Sequence, residues 1–230
     1  MARIVSTLYA IAIYGFIFLP VAVLNDARLT DGLANSLLVA LATSALATLL
    51  GFLSAWGFAR FHLPASALLR GLITLPLTVS YLIIGMGLLI FFNWLGLPKS
   101  LMAAGIGHVV INLPLCFAII YSQMGEHQAN IERAARDLGA KEWQVLTLIT
   151  APMLWPALFA SFFLSMTFSW DEFVIAFLLT RFDTTLPVEI WNLLRAGLNP
   201  KTNAVGSLVF GVSIVLAIVF ELVAFRKRPQ

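Results

Sequence analysis

Two adjacent carboxylates, Asp171 and Glu172, stand inside an apolar stretch that runs from Met153 to Ser169 on one side and from Val174 to Leu179 on the other. A charge in hydrocarbon costs at least about 2.5 kcal/mol on insertion scales, so such a pair must face a wet path or a cation rather than lipid. Trp170 and Phe173 flank the acids and offer ring faces to an ammonium group, an attraction of about 0.5 to 2 kcal/mol beyond charge pairing. That combination suits an organic cation. On a helix, neighbours are about 100° apart, so the two acids border one cavity without pointing along one line; one binds while the other caps or pairs. Counted from Ala157, Asp171 lies about 21 Å along the helix, in the outer part of a bilayer. In the alternative reading the helix ends at Trp170 and the acids sit in the membrane interface, paired with Arg181 or Arg195.

The elements that must position these residues are membrane helices. Of 230 residues, 60% are apolar and 11% charged, and the mean hydropathy is +0.95, too little polar surface to coat a water-soluble globule. Apolar runs predict six spans, near 4–24, 33–58, 68–94, 100–122, 152–180 and 203–225. With the N-terminus inside, Arg3, Arg60, Arg70, Arg133, Arg136, Lys141, Arg226, Lys227 and Arg228 lie on the inner side. Arg28, Lys99, Arg181, Arg195 and Lys201 lie outside, and the bias favours two cytoplasmic termini and an uncleaved first helix. A net charge of +3 is topology charge and does not point to nucleic acid. The single cysteine, Cys116, excludes an internal disulfide and a cysteine-based zinc site.

The stretch between the fourth and fifth spans is the largest inner loop. From Asn130 to Leu138 it is rich in helix formers, with Asn130 as N-cap and Gly139 where a left-handed residue ends the helix. A second helix starts near Lys141 and carries Trp143, Leu146, Ile149 and Met153 on one face before Pro152 and Pro156 lead it into the membrane. Without further context this is an interfacial amphipathic element able to present one face to a partner. In the outer loop, Pro187 to Ala196 predicts a short helix with Gly197 after its end and Val188, Trp191 and Leu194 on one face. It serves as a gate or dock, or only as an interface anchor.

The order Ala134-Ala135, Asp137, Leu138, Gly139, Ala140, with Pro152 thirteen residues after the glycine, resembles the EAA loop of bacterial ABC importer permeases of the type I fold. Asn35-Ser36, Gly51 and Arg60 resemble the start of the same permease domain. The resemblance implies an all-α, polytopic bundle of six transmembrane helices. It divides the chain into an N-terminal helix and short outer loop over 1–32, a permease domain over 33–225 with its coupling loop at 126–150, and a basic tail at 226–230. It further implies that Glu132, Arg133, Ala134, Ala135, Asp137, Leu138 and Gly139 couple to a cytoplasmic ATPase. The sequence departs from the pattern at Arg133, which stands where the family usually has Glu, with Glu132 just before it. SWDEFVIAF and TLPVEIWNLLRAGLNPKTNAV are similar to permeases for spermidine and putrescine, a subgroup that also handles opines and aminophosphonates.

What the resemblance implies is a permease that is not itself an enzyme. It would work by alternating access in a bacterial inner membrane beside a second homologous permease, two ATPase subunits, a periplasmic or lipid-anchored solute-binding protein and membrane lipid. ATP and magnesium would belong to the ATPase, in keeping with the lack of a Gly-x-x-x-x-Gly-Lys-Ser/Thr motif. Asp171, Glu172, Trp170, Phe173 and Tyr81 would line the solute pathway. A gradient-driven transporter or channel acting as a homo-oligomer, and a scaffold without transport, are the other classes these residues allow. His108 and Asn112, one turn apart, read as polar glue between helices.

Overall fold

A computed structural model describes residues 26–197, 205–207, 209–215 and 218–219. The expected first span, near 4–24, and the tail at 226–230 lie outside the described residues, as does much of the sixth span.

The first described helix, α1, runs unbroken from Ala27 to Arg60, straight across the expected boundary at 32–33, and is capped by Asp26, whose carboxylate accepts the Arg28 N–H. Its buried face is a ladder of small residues, Ser36, Ala40, Thr43, Ala47, Gly51 and Ala55, at three- and four-residue spacing. Small side chains let membrane helices approach closely. At Gly51 the approach is close enough to exclude a side chain: a Cβ there would stand 2.8 Å from Cys116 Cβ and 2.9 Å from Phe117 N. The helix across that contact is α4, Leu101–Ser122, capped by Ser100, which accepts the Ala103 N–H. These two are long and apolar enough to cross a membrane.

The spans expected at 68–94 and 152–180 are bent or broken. Helix α2, Ser66–Thr74, continues through a 3-10 turn at Leu75–Leu77 and meets α3, Tyr81–Trp94, at 105°. The expected straight span over 68–94 is therefore corrected, since Pro76 sits in the tight turn and Ser80 is extended. On the far side of α4 come α5, Glu126–Asp137, and α6, Glu142–Met153, whose middle, Val145–Thr150, is π-wound. Helix α6 turns by 74° at Leu154 into α7, Trp155–Asp171, with Pro156 in the first turn of α7. A short helix α8, Val174–Leu179, and then α9, Leu186–Arg195, follow.

Helix α1 packs against α4 and α7 to form the core. Phe52, Ala55, Phe117, Ile120 and Leu154 cluster at the α5 end, and Leu29, Ala40, Met166, Trp170, Leu186 and Val205 at the opposite end. A third cluster, with Ile111, Ile175 and Leu179, joins α4 to α8. Leucines on the other face of α1, among them Leu38 and Leu49, are exposed, as expected of a helix in lipid or against another subunit.

Candidate functional site

The acidic pair marks a break in the helix. Helix α7 ends at Asp171, and Glu172 is extended with ψ 118°. The Glu172 carboxylate accepts the Ile175 N–H at 3.0 and 3.1 Å and the Ala176 N–H at 3.2 Å, satisfying the first free donors of α8. A carboxylate is favoured at that positive helix end. Glu172 is 5% exposed, and its Oε2 lies 3.4 Å from His108 Nε2, close enough for attraction but not aligned as a hydrogen bond. The other imidazole nitrogen, Nδ1, is 2.7 Å from Ser169 Oγ, which is 3.0 Å from Thr43 Oγ1. One polar chain thus ties α1, α4, α7 and the start of α8 together inside the bundle.

Asp171 points the other way. It is exposed and, among the described residues, forms no ion pair with Arg181, Arg195 or any other cation. The acids are parted by the break in the helix and not by the 100° step expected of a continuous one: Asp171 is the last residue of α7, whereas Glu172 is extended and caps α8. Trp170 is corrected: it is 2% exposed and packed in the core with Met166 and Leu186, so neither ring face is open to a solute. Phe173 is half-buried, with its ring 5.6 Å from that of Trp191 and 5.4 Å from that of Phe177. Tyr81 opens α3 exposed, with no hydrogen bond or ring contact to this group among the described residues. Sequence reasoning placed His108 in a structural role but missed Ser169 and Thr43. Ser161, Ser165 and Ser169 recur every four residues on the buried face of α7, a signal that was available.

Helix α9 also differs from expectation. Leu186, Ile190 and Leu193 pack inward and Val188 is buried too, while Trp191 and Leu194, expected on one face with Val188, are exposed; the Ser36 hydroxyl accepts the Leu186 N–H at 2.8 Å and fixes the entry of the helix. Asn35 Nδ2 donates to the Thr184 carbonyl at 3.0 Å beside it.

The second candidate region is α5. It starts at Glu126 after Gly125, four residues before the expected cap, so Asn130 is a mid-helix residue. Gly139 has φ +91°; its N–H donates to the Arg136 carbonyl at 2.9 Å and the Ala140 N–H to the Ala135 carbonyl at 3.0 Å, the paired bonds of a Schellman stop. Arg133, Ala134, Asp137, Leu138 and Gly139 are exposed, Leu138 at 90%, and Ala135 is half-buried. Glu132 is corrected: it is fully buried and bound to Arg60 and Thr150, so it cannot itself meet a docking partner. Across the turn Arg136 donates to Glu142 at 2.8 and 3.0 Å, and this bond holds the Glu142 carboxyl below its ordinary value. In the π-wound stretch Val145 and Thr150 are buried and Leu146 packs against the cluster of Phe52, Phe117 and Leu154, whereas Trp143, expected on the same face as Leu146, is exposed.

A bundle built on long apolar helices, with a helix-turn-helix at one end and an open carboxylate at a helix break, defines a membrane permease. The chain belongs to the binding-protein-dependent transport system inner membrane component family, which matches residues 47–229. Its sequence is 27% identical over 205 residues to the spermidine/putrescine transport system permease protein PotC of Escherichia coli K12, covering 89% of this chain and 78% of that one. It is 33% identical over 216 residues to the putrescine transport system permease protein PotI of the same strain, covering 90% and 77%. The fold matches a chain of a bacterial alginate ABC transporter crystallised with an alginate-bound periplasmic protein, with TM-score 0.69 and 16% identity over 98% of this chain and 93% of that one. It also matches the inward-facing MetNI methionine ABC transporter, with TM-score 0.64 and 13% identity over 89% and 100%. The protein is an all-α permease subunit of the ABC importer type I fold.

Proposed function

We propose that this permease subunit imports a polyamine or a related small organic cation, with Asp171 as the group that meets the ammonium. The carrying observation is the division of labour at the helix break: Glu172 is consumed by the Ile175 and Ala176 amides, while Asp171 next to it is exposed and without an ion-pair partner among the described residues. The named solutes of PotC and PotI support the same class. Phe173 and Trp191 stand beside the break and offer partly open rings.

In this reading a separate ATPase pair binds ATP and magnesium, and the exposed surface of α5 from Arg133 to Gly139 docks on it. A second permease completes the pathway, and a solute-binding protein delivers the cation. ATP-driven closure of the ATPases moves α5 and exchanges inward-open for outward-open cavities. Both termini face the cytoplasm of a cell whose inner membrane holds the complex.

The test is purification of the tagged chain from native membranes in mild detergent, with mass spectrometry of what accompanies it. An ATPase, a second permease and a binding protein that takes up putrescine or spermidine are expected. Recovery of this chain alone as an oligomer, or a binding protein selective for a neutral or anionic solute, would overturn the reading.

A further inference from the structure

The end of the bundle opposite α5 carries a cationic feature that the transport reading leaves unused. Lys99 precedes the spanning helix α4 and Arg181 follows α8, and the Ser100 N–H donates to the Leu179 carbonyl at 2.9 Å, locking the two chain segments side by side. Lys99 and Arg181 line one cavity of about 650 Å³, and neither forms an ion pair with a described residue. Arg181 instead lies over the ring of Phe182, 5.0 Å from its centre. Since α4 crosses the membrane from Leu101, these cations stand at headgroup level. Trp94 and Phe182, 80% and 84% exposed, mark the same level with large aromatic rings.

A neighbouring cavity of about 360 Å³ shares Pro98 and Lys99 and is lined mainly by apolar side chains, among them Leu89, Ile90 and Leu97, with Asn93 beside them. A cationic mouth beside a largely apolar groove matches one ligand chemistry, a negatively charged head attached to a hydrocarbon chain. A soluble acidic partner would satisfy the cations and leave the groove bare.

We propose that Lys99 and Arg181 bind the phosphate of an anionic phospholipid, with an acyl chain lying against Leu89, Ile90 and Leu97. The site is separate from Asp171 and does not depend on the solute.

The experiment is native mass spectrometry of the full chain released from micelles holding equal phosphatidylglycerol and phosphatidylethanolamine. Wild type should retain phosphatidylglycerol preferentially, and the retained ratio should fall about fivefold for each cation removed in Lys99→Gln and Arg181→Gln. Arg195→Gln, which removes an exposed cation on α9, should leave the ratio unchanged, and circular dichroism should show equal helix content in all variants. A ratio that is the same in wild type and both variants would overturn the proposal. So would variants that keep the lipid ratio but lose capture of the binding protein, which would assign the surface to that protein instead.

Discussion

Arg60, the last residue of α1, and Glu132, in the middle of α5, are joined across 72 residues of chain by two hydrogen bonds, 2.6 Å from Nε to Oε2 and 3.2 Å from Nη2 to Oε1. Glu132 also accepts the Thr150 hydroxyl at 2.9 Å, and Arg136 Nη2 is 3.8 Å away. A single buried acid therefore fastens the proposed docking helix to both α1 and α6. Of the residues expected to couple, Glu132 is buried in these contacts and not on the surface of α5.

Removing one partner of a buried pair leaves the other uncompensated and costs about 3 to 5 kcal/mol. Glu132→Ala is expected to lower the unfolding midpoint in detergent and to abolish ATP-driven uptake. The double variant Arg60→Met with Glu132→Met should lose less stability than the two single changes together, because an apolar pair needs no partner. Strict additivity would show that the contact carries no coupling.

At Gly139 the backbone, not the space, is the constraint: φ is +91° and a Cβ would meet nothing within 4 Å. Left-handed backbone costs an L-residue about 1 to 2 kcal/mol, less for Asn. Retention of the ATPase on the purified complex is expected to fall in the order Gly, Asn, Ala, Val. Equal retention across the series would separate this turn from docking.

The two acids should respond differently to substitution. Asp171→Asn is expected to reduce uptake of a cationic solute while leaving the unfolding midpoint near wild type. Glu172→Ala withdraws the acceptor from two buried amides, a loss of about 1 to 3 kcal/mol, and should show first as a lower midpoint. Opposite outcomes in uptake and melting would reverse the roles assigned here.

Glu142 gives a pH dependence with a defined sign. Its carboxyl is depressed by the Arg136 hydrogen bond, so the contribution to the α5–α6 turn is present above the ordinary carboxylate value and is lost as pH falls through the depressed one. The pair is largely exposed, and screening keeps such contributions to about 0.2 to 1 kcal/mol. Carbon-13 titration of the full chain labelled on glutamate should place Glu142 below the ordinary glutamate range, and Arg136→Gln should return it to that range.

How much of this was legible depends on the physics behind each feature. The span expected at 100–122 is Leu101–Ser122, because uniform apolarity and a serine cap specify it locally. The stop at Gly139 was legible for the same reason. The bends at Ser80 and Leu154 were not, since apolar residues continue on both sides and hydropathy does not register direction, although Pro76, Pro152 and Pro156 were in view. The burial of Trp170 and Glu132 depends on which helix lies opposite, and no local pattern contains that. Likewise the inward face of α9 was set by a hydroxyl 150 residues away, Ser36, on Leu186.

Helix α1 touches both ends of this arrangement. Ser36 holds the entry to α9, and Arg60 holds Glu132, with an unbroken stretch of about 36 Å between them at 1.5 Å per residue. A helix bonded at every turn behaves as a push-rod with almost no slack along its axis. The contacts to α5, to α9 and, through Thr43, to Ser169 therefore all ride on one stiff element.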